Sequence, residues 1–228
     1  EAYRSKGGSA WEKDLFANTD KSVITEFVGY TDSTSNSVVQ YIVRDDELAE
    51  NAQQDDEIAL VLNTTPFYGE SGGQIGDTGY ITNNQFKMEV SDCRKTADGK
   101  FLHIGKVLSG SVQIGDKVVA AIDTKRRQAT ARNHTTTHLL QKALKDILGD
   151  HVNQAGSLDF THFSAMTPEQ IEAVEDEVNG KILENLDVSV KEMSIDEARK
   201  LGAMALFGEK YGETVRVVSA GDYSRELC

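Results

Sequence analysis

Cysteine is scarce: the 228-residue chain has two, Cys93 and Cys228. That excludes a disulfide-stapled scaffold and fits a reducing compartment, with the cytoplasm as the expected location. No apolar run reaches the roughly 18 residues that a membrane-spanning helix needs. Glu1-Ala-Tyr-Arg4 carries no signal-peptide pattern either, so neither insertion nor secretion is expected. Positive charge is also in short supply, with 24 Lys and Arg against 37 Asp and Glu and a formal net charge of −13. Phosphate binding is dominated by Lys and Arg, so a nucleic-acid partner has to be met by a local basic entrance. Lys125, Arg126, Arg127 and Arg132 offer one; a solvated helix face is the other use of such a run. Beginning without Met and stopping on Cys228, the chain reads as an excised piece of a longer protein.

What is present supports a sizeable core in two subdomains, since 39% of the residues are hydrophobic. Residues 1 to about 20, with Gly7-Gly8 and then Trp11, Leu15 and Phe16, read as a linker docking onto the body. From 21 to 122 the signals are strands: Val23–Val28, Ser37–Val43, Glu57–Leu62, Gln85–Val90, Phe101–Ile104 and Lys117–Ile122 are short, rich in Val and Ile, and punctuated by Asp, Asn and Gly. That spacing predicts a small β-barrel. Cys93, at the end of one such strand, is expected to be structural.

After Asp123 the pattern becomes helix and sheet, so the expected class is α+β. A long helix is predicted over about 124 to 148, and His151–Leu158 reads as a return strand with Gln154 and Ser157 on it. Thr167-Pro168-Glu169-Gln170 starts a packing helix, with an N-cap, Pro at N1 and Gln at N3. Val188–Met193 is a predicted strand, Ser194-Ile-Asp-Glu197 caps a further helix through Leu201, and Thr214–Val218 is the last clear strand, leading to Ser224–Cys228.

Gly69-Glu-Ser-Gly-Gly-Gln-Ile-Gly-Asp-Thr-Gly79 is a dense glycine loop between strands. Glycine permits positive φ and close backbone approach, which serves either a tight corner or a surface pressed on a ligand. The loop lacks the Lys-Ser/Thr ending of a P-loop and the following helix of a dinucleotide fold, and both are rejected.

The chemistry-bearing stretch is Arg132-Asn-His-Thr-Thr-Thr-His-Leu-Leu140. His134 and His138 are four residues apart on a helix, which places their Cβ atoms about 5–6 Å apart on one face and lets two imidazoles reach one ion. That is a zinc-type half site, and the Cys228 thiolate suits the same metal. The threonines Thr135, Thr136 and Thr137 either line a pocket or bond back to their own helix carbonyls.

Four separated blocks in order, Thr65–Gly79, Ala131–Leu140, His151–Leu158 and Val215–Cys228, resemble the internal editing domain of the alanyl-tRNA synthetase family. The resemblance runs nearly end to end. It implies a barrel of the translation-protein type followed, over 123–228, by the α+β editing domain shared with threonyl-tRNA synthetase, with the long helix bearing the metal. It implies zinc on His134, His138 and Cys228, with Gln154, Thr135 and Thr136 as catalytic pocket residues and the glycine loop packed beside that pocket. Arg126, Arg127 and Arg132 become the groups expected at the tRNA(Ala) acceptor end. ATP belongs to the aminoacylation domain, absent here, and any oligomerisation is expected through regions outside this chain. The sequence departs from the family twice. The family's last ligand is the His of a Cys-Gly-Gly-Thr-His run, and here the chain stops at the Cys. The family also carries several residues, including an Arg-Leu-Arg-Phe-like run, between Gly-Ser-Leu and Asp-Phe-Thr-His-Phe, where Leu158 here meets Asp159 directly.

The expected activity is hydrolysis of the ester in mischarged Ser-tRNA(Ala) and Gly-tRNA(Ala). Glycine lacks one methyl and serine adds one hydroxyl, and differences of that size are worth only about 1–3 kcal/mol in a binding pocket, so a second hydrolytic site has a purpose. A metallopeptidase is not supported, because no His-Glu-x-x-His base is present. The alternative that stays open is a non-catalytic tRNA-binding module with a structural zinc.

Overall fold

The computed structural model describes residue 16 and residues 23–71, 73–153, 159–204 and 212–227. Its contacts divide into two compact units, one through Thr130 and one from Ala131 onward.

Ten strands build the first unit: β1 (Glu26–Phe27), β2 (Thr34–Arg44), β3 (Glu47–Ala49), β4 (Asn51–Gln53), β5 (Glu57–Leu62), β6 (Thr64–Thr65), β7 (Gly79–Thr82), β8 (Phe86–Lys95), β9 (Phe101–Gln113) and β10 (Lys117–Ile122). Six of them close into an antiparallel barrel in the order β10-β7-β8-β9-β5-β2, with β10 returning to β2. Closure pairs each of the six with a barrel neighbour on both sides, and the ends of β2 and β9 keep edges that take further strands. β3 extends β2, β4 pairs with β9, and β1 and β6 form a short parallel pair.

The run Ile58-Ala-Leu-Val-Leu62 is apolar throughout because β5 is buried on both faces. Side chains alternate along a strand, so Ile58, Leu60 and Leu62 fill the barrel with Ile42, Phe67, Ile81 and Met88, while Ala59 and Val61 pack outside it with Val43, Leu102 and Phe16. Phe16, 4% exposed, is where the expected docking of the N-terminal stretch is seen; Trp11 and Leu15 lie outside the described residues. Strands β5 and β10 have the expected limits. Only two residues of the strand predicted over Val23–Val28 pair, and β8 and β9 run on well past their predicted ends as one long hairpin.

Helix α1 (Thr124–Leu148) begins where the Asp123 carboxylate accepts the Arg126 N–H at 3.0 Å, the N-cap role of a short acidic side chain. It ends at Gly149, whose φ of +111° suits the left-handed exit glycine favours. In the second unit its residues Leu139, Ala143 and Leu144 pack with Val152, Val174, Val178 and Ala220. The last three come from α2 (Pro168–Leu183) and from the middle strand of an antiparallel sheet β11 (Val188–Ser194), β12 (Thr214–Ala220), β13 (Ser224–Leu227). A further short helix, α3 (Ile195–Lys200), follows β11. Both predicted capping boxes are formed, Thr167 with Gln170 and Ser194 with Glu197.

Two expectations change. The return strand is not formed over 151–153, and residues 154–158 lie outside the described residues. The segment after β12 is itself a strand, since Ser224–Leu227 pairs back onto Val217–Ala220 across a tight turn at Gly221. No helix among the described residues is long and apolar enough to cross a membrane.

Candidate functional site

The helical period brings the two histidines together as the spacing demands. The His134 and His138 rings lie 4.8 Å apart between centroids, inclined by 31°. Burial pushes His138 down to about 4, helped by the neighbouring His134. Burial also holds His134 below the usual histidine range, with the Arg216 guanidinium adding to the effect. Both imidazoles are therefore neutral near pH 7, the state in which a ring nitrogen can hold a metal.

A third side chain lies beside the pair, one whose only sequence signal is membership of a motif. Glu226 on β13 brings Oε2 to 3.1 Å from His138 Nδ1, with side-chain exposures of 4% and 8%. Strand alternation decides this: Glu226 and Ser224 share one face of β13, and both are buried. Burial pushes the Glu226 carboxyl up to about 8, against the opposing pull of Lys145 and the Ser224 hydroxyl. The 3.1 Å approach is not aligned as a hydrogen bond, and neither His138 Nδ1 nor Glu226 Oε1 has such a bond among the described residues. The contact is one of position. Gln141 Oε1, one turn beyond His138, is likewise buried and unbonded.

Whether zinc fits can be judged from these groups. Two neutral imidazoles on one helix face suit the ion, and a buried carboxyl beside one ring is the arrangement that orients a metal-bound histidine. Among the described residues no group of three His, Cys, Asp or Glu is placed to hold a metal. Cys228 and Gln154, both expected at the site, lie outside the described residues.

The threonines are each committed to the helix. Thr135, Thr136 and Thr137 hydroxyls donate to the carbonyls of Ala131, Arg132 and Asn133 at 3.1, 2.9 and 3.1 Å. Their oxygens keep lone pairs that accept but have no further proton to donate.

The basic residues separate sharply. Arg127 is built into the first unit: Nε donates to both Asp77 oxygens at 3.0 and 2.9 Å, Nη1 to Gly29 O at 2.7 Å and Nη2 to Pro66 O at 2.9 Å, with a further contact from Nη2 to Asp77. Arg126 donates to Gly76 O at 2.7 Å. Arg132 is exposed. The glycine loop is thus a corner pinned from α1. It lies so close to β8 that a Cβ on Gly76 would sit 2.2 Å from Cys93 O. Cys93 itself is fully buried, and burial pushes its thiol well up, as befits a structural residue.

A second cluster lies among residues not expected at the site. His151 Nε2 and His162 Nδ1 are 2.8 Å apart, and exposed Phe163 stacks on His151 at 4.3 Å.

Residues 2–126 match the family described as tRNA synthetases class II (A). The chain belongs to this family. As a class II synthetase chain it is similar over its whole length, at 58% identity, to the alanine–tRNA ligase of Acetivibrio thermocellus, of which it covers 27%. It is 49% identical over 99% of its length to that of Thermoanaerobacter sp., and 46% identical over 97% to that of Clostridioides difficile. It covers 26% of each of these two, so the chain spans about a quarter of the length of such relatives.

Proposed function

We propose that this part of the synthetase is an editing deacylase, which hydrolyses the ester of Ser-tRNA(Ala) and Gly-tRNA(Ala), spares Ala-tRNA(Ala), and works in the cytoplasm. The observation that carries the reading is the pair of neutral histidines on α1, with a buried carboxyl against one of them. His134 and His138 would hold zinc together with Cys228, and bound zinc supplies an activated water or a polarised carbonyl. Around it the chain positions rather than reacts. The hydroxyl oxygens of Thr135 and Thr136 accept from a substrate amine or hydroxyl, and Gln154 reads the serine hydroxyl. Arg126 and Arg132 meet the phosphates of the acceptor end.

The test compares deacylation of Ser-tRNA(Ala) and Ala-tRNA(Ala) in the presence of zinc. The enzyme is the chain extended through the Cys-Gly-Gly-Thr-His run, beside its His134→Ala, His138→Ala double variant. Hydrolysis of the seryl ester alone, lost in the double variant, is expected. Equal rates on both esters would remove editing. Binding of tRNA without turnover would favour the non-catalytic module.

A further inference from the structure

We propose that Glu226 is the positioning residue of His138: it fixes the ring with Nδ1 turned toward β13 and leaves Nε2 as the nitrogen presented for ligation. The inference rests on the reading of His138 as a working residue of the site, and its grounds are geometric. Glu226 Oε2 is 3.1 Å from Nδ1, and both side chains are almost wholly buried. Nδ1 has no hydrogen bond of its own among the described residues, and Glu226 Oε1 has none. A buried polar atom without a partner is costly, and Glu226 Oε2, 3.1 Å away, is a polar atom within reach of Nδ1. The two nitrogens of an imidazole point to opposite sides of the ring, and a Nδ1 committed to a carboxyl directs Nε2 away from it.

The restraint comes from two elements the fold fixes independently. His138 is flanked on α1 by Leu139, which packs in the core with Ala143 and Leu144. Glu226 is held by β13, where it pairs with Val218 and lies between Arg225 and the buried Leu227. An isolated pair of solvent-exposed side chains would share such a contact only part of the time. Here neither side chain has water to turn to. The same burial makes the pair sensitive to shape: glutamine preserves the oxygen at this position, and alanine or leucine removes it.

Imidazole 15N–1H correlation spectra of the full 228-residue chain, recorded without metal, test this directly. In the wild type, the His138 Nδ1 resonance should carry the perturbation of a carboxyl oxygen lying 3.1 Å away. E226Q should retain that signature, while E226A should shift it and leave His103 unaffected. E226L, which fills the space without an acceptor, is read in the same way should E226A fail to fold. An Nδ1 signature of His138 that is the same in the wild type and in a folded E226A or E226L would overturn the proposal. Zinc competition against a chromophoric chelator adds a second reading, with a loss of about 10–100-fold expected in E226A and less in E226Q. The two proposals fail separately. A positioned His138 in a chain without deacylase activity would remove the editing function alone, and an active deacylase whose Nδ1 signature is indifferent to E226A would remove the role of Glu226 alone.

Discussion

His103 is a histidine that the fold has withdrawn from neutral-pH titration. Its ring is fully buried, with Nδ1 2.8 Å from Leu60 O and Nε2 2.6 Å from Thr65 Oγ1. A carbonyl only accepts, so Nδ1 carries the proton and Nε2 accepts from Thr65. Burial pushes its pKa from 6.5 down to about 4. The unfolded chain therefore takes up this proton first as pH falls. The stabilisation is complete above pH 6.5 and is lost between 6.5 and about 4, in all roughly 3 kcal/mol. Urea midpoints of the barrel unit across that window should fall in the wild type and fall less in His103→Gln; parallel curves would show that another group sets the acid limit. Arg127 makes a comparable case for stability. Its partner Asp77 is 5% exposed, and removing one member of such a pair leaves a buried charge, at a cost of about 3–5 kcal/mol. Arg127→Ala should lower the urea midpoint accordingly, and a loss within the few tenths of a kcal/mol typical of a surface site would refute this account of the contact. Sequence alone could not tell Arg127 from Arg126 and Arg132. The three share a run, and only the placement of Asp77 separates the structural one.

At the scale of elements, what was legible followed local chemistry. Helices α1, α2 and α3 announced themselves through apolar spacing and through Thr167 and Ser194 at their caps, and strands β5 and β10 through continuous or alternating Val and Ile. Two- and three-residue strands such as β3, β4 and β6 carry no period to read, since their existence depends on a neighbour's free edge. β13 was missed for the same reason: Ser224-Arg-Glu-Leu227 is a polar stretch whose strand character comes from pairing with β12. Glu226 was therefore hidden, because a glutamate in an unassigned polar segment reads as exposed. The histidine pair was legible because helical spacing alone brings it together. The capping box of α2 allows a quantitative check. Thr167 Oγ1 accepts the Gln170 N–H at 3.3 Å and Gln170 Oε1 accepts the Thr167 N–H at 2.9 Å. Thr167→Ala should cost about 1 kcal/mol, read as a shift in the urea midpoint of the second unit. A neutral substitution would mean that the packing of Val174 and Val178 alone holds the helix.

For the whole molecule, charge sets the terms on which tRNA can be met. A chain of net charge −13 repels phosphate at long range, so binding has to come from a few local contacts. Arg127 is spent on Asp77, Gly29 and Pro66, Arg126 gives one donor, Nη1, to Gly76, and Arg132 stands exposed. Each phosphate neutralised contributes to the salt dependence of affinity, with a slope of about −0.7 per contact for single strands. A shallow slope, of one to three contacts' size on that scale, is expected for this chain with tRNA. Arg132→Ala should reduce it by roughly one contact and weaken binding without touching stability. Arg127→Ala should do the reverse, lowering stability and leaving the slope of the folded protein as it was. Measured together by fluorescence anisotropy across a salt series and by urea unfolding, the two variants separate a phosphate contact from a structural one. If Arg127→Ala flattens the salt slope while Arg132→Ala leaves it intact, the assignment of the two arginines is inverted, and tRNA meets the protein through the side chain that the barrel corner appropriates in its absence.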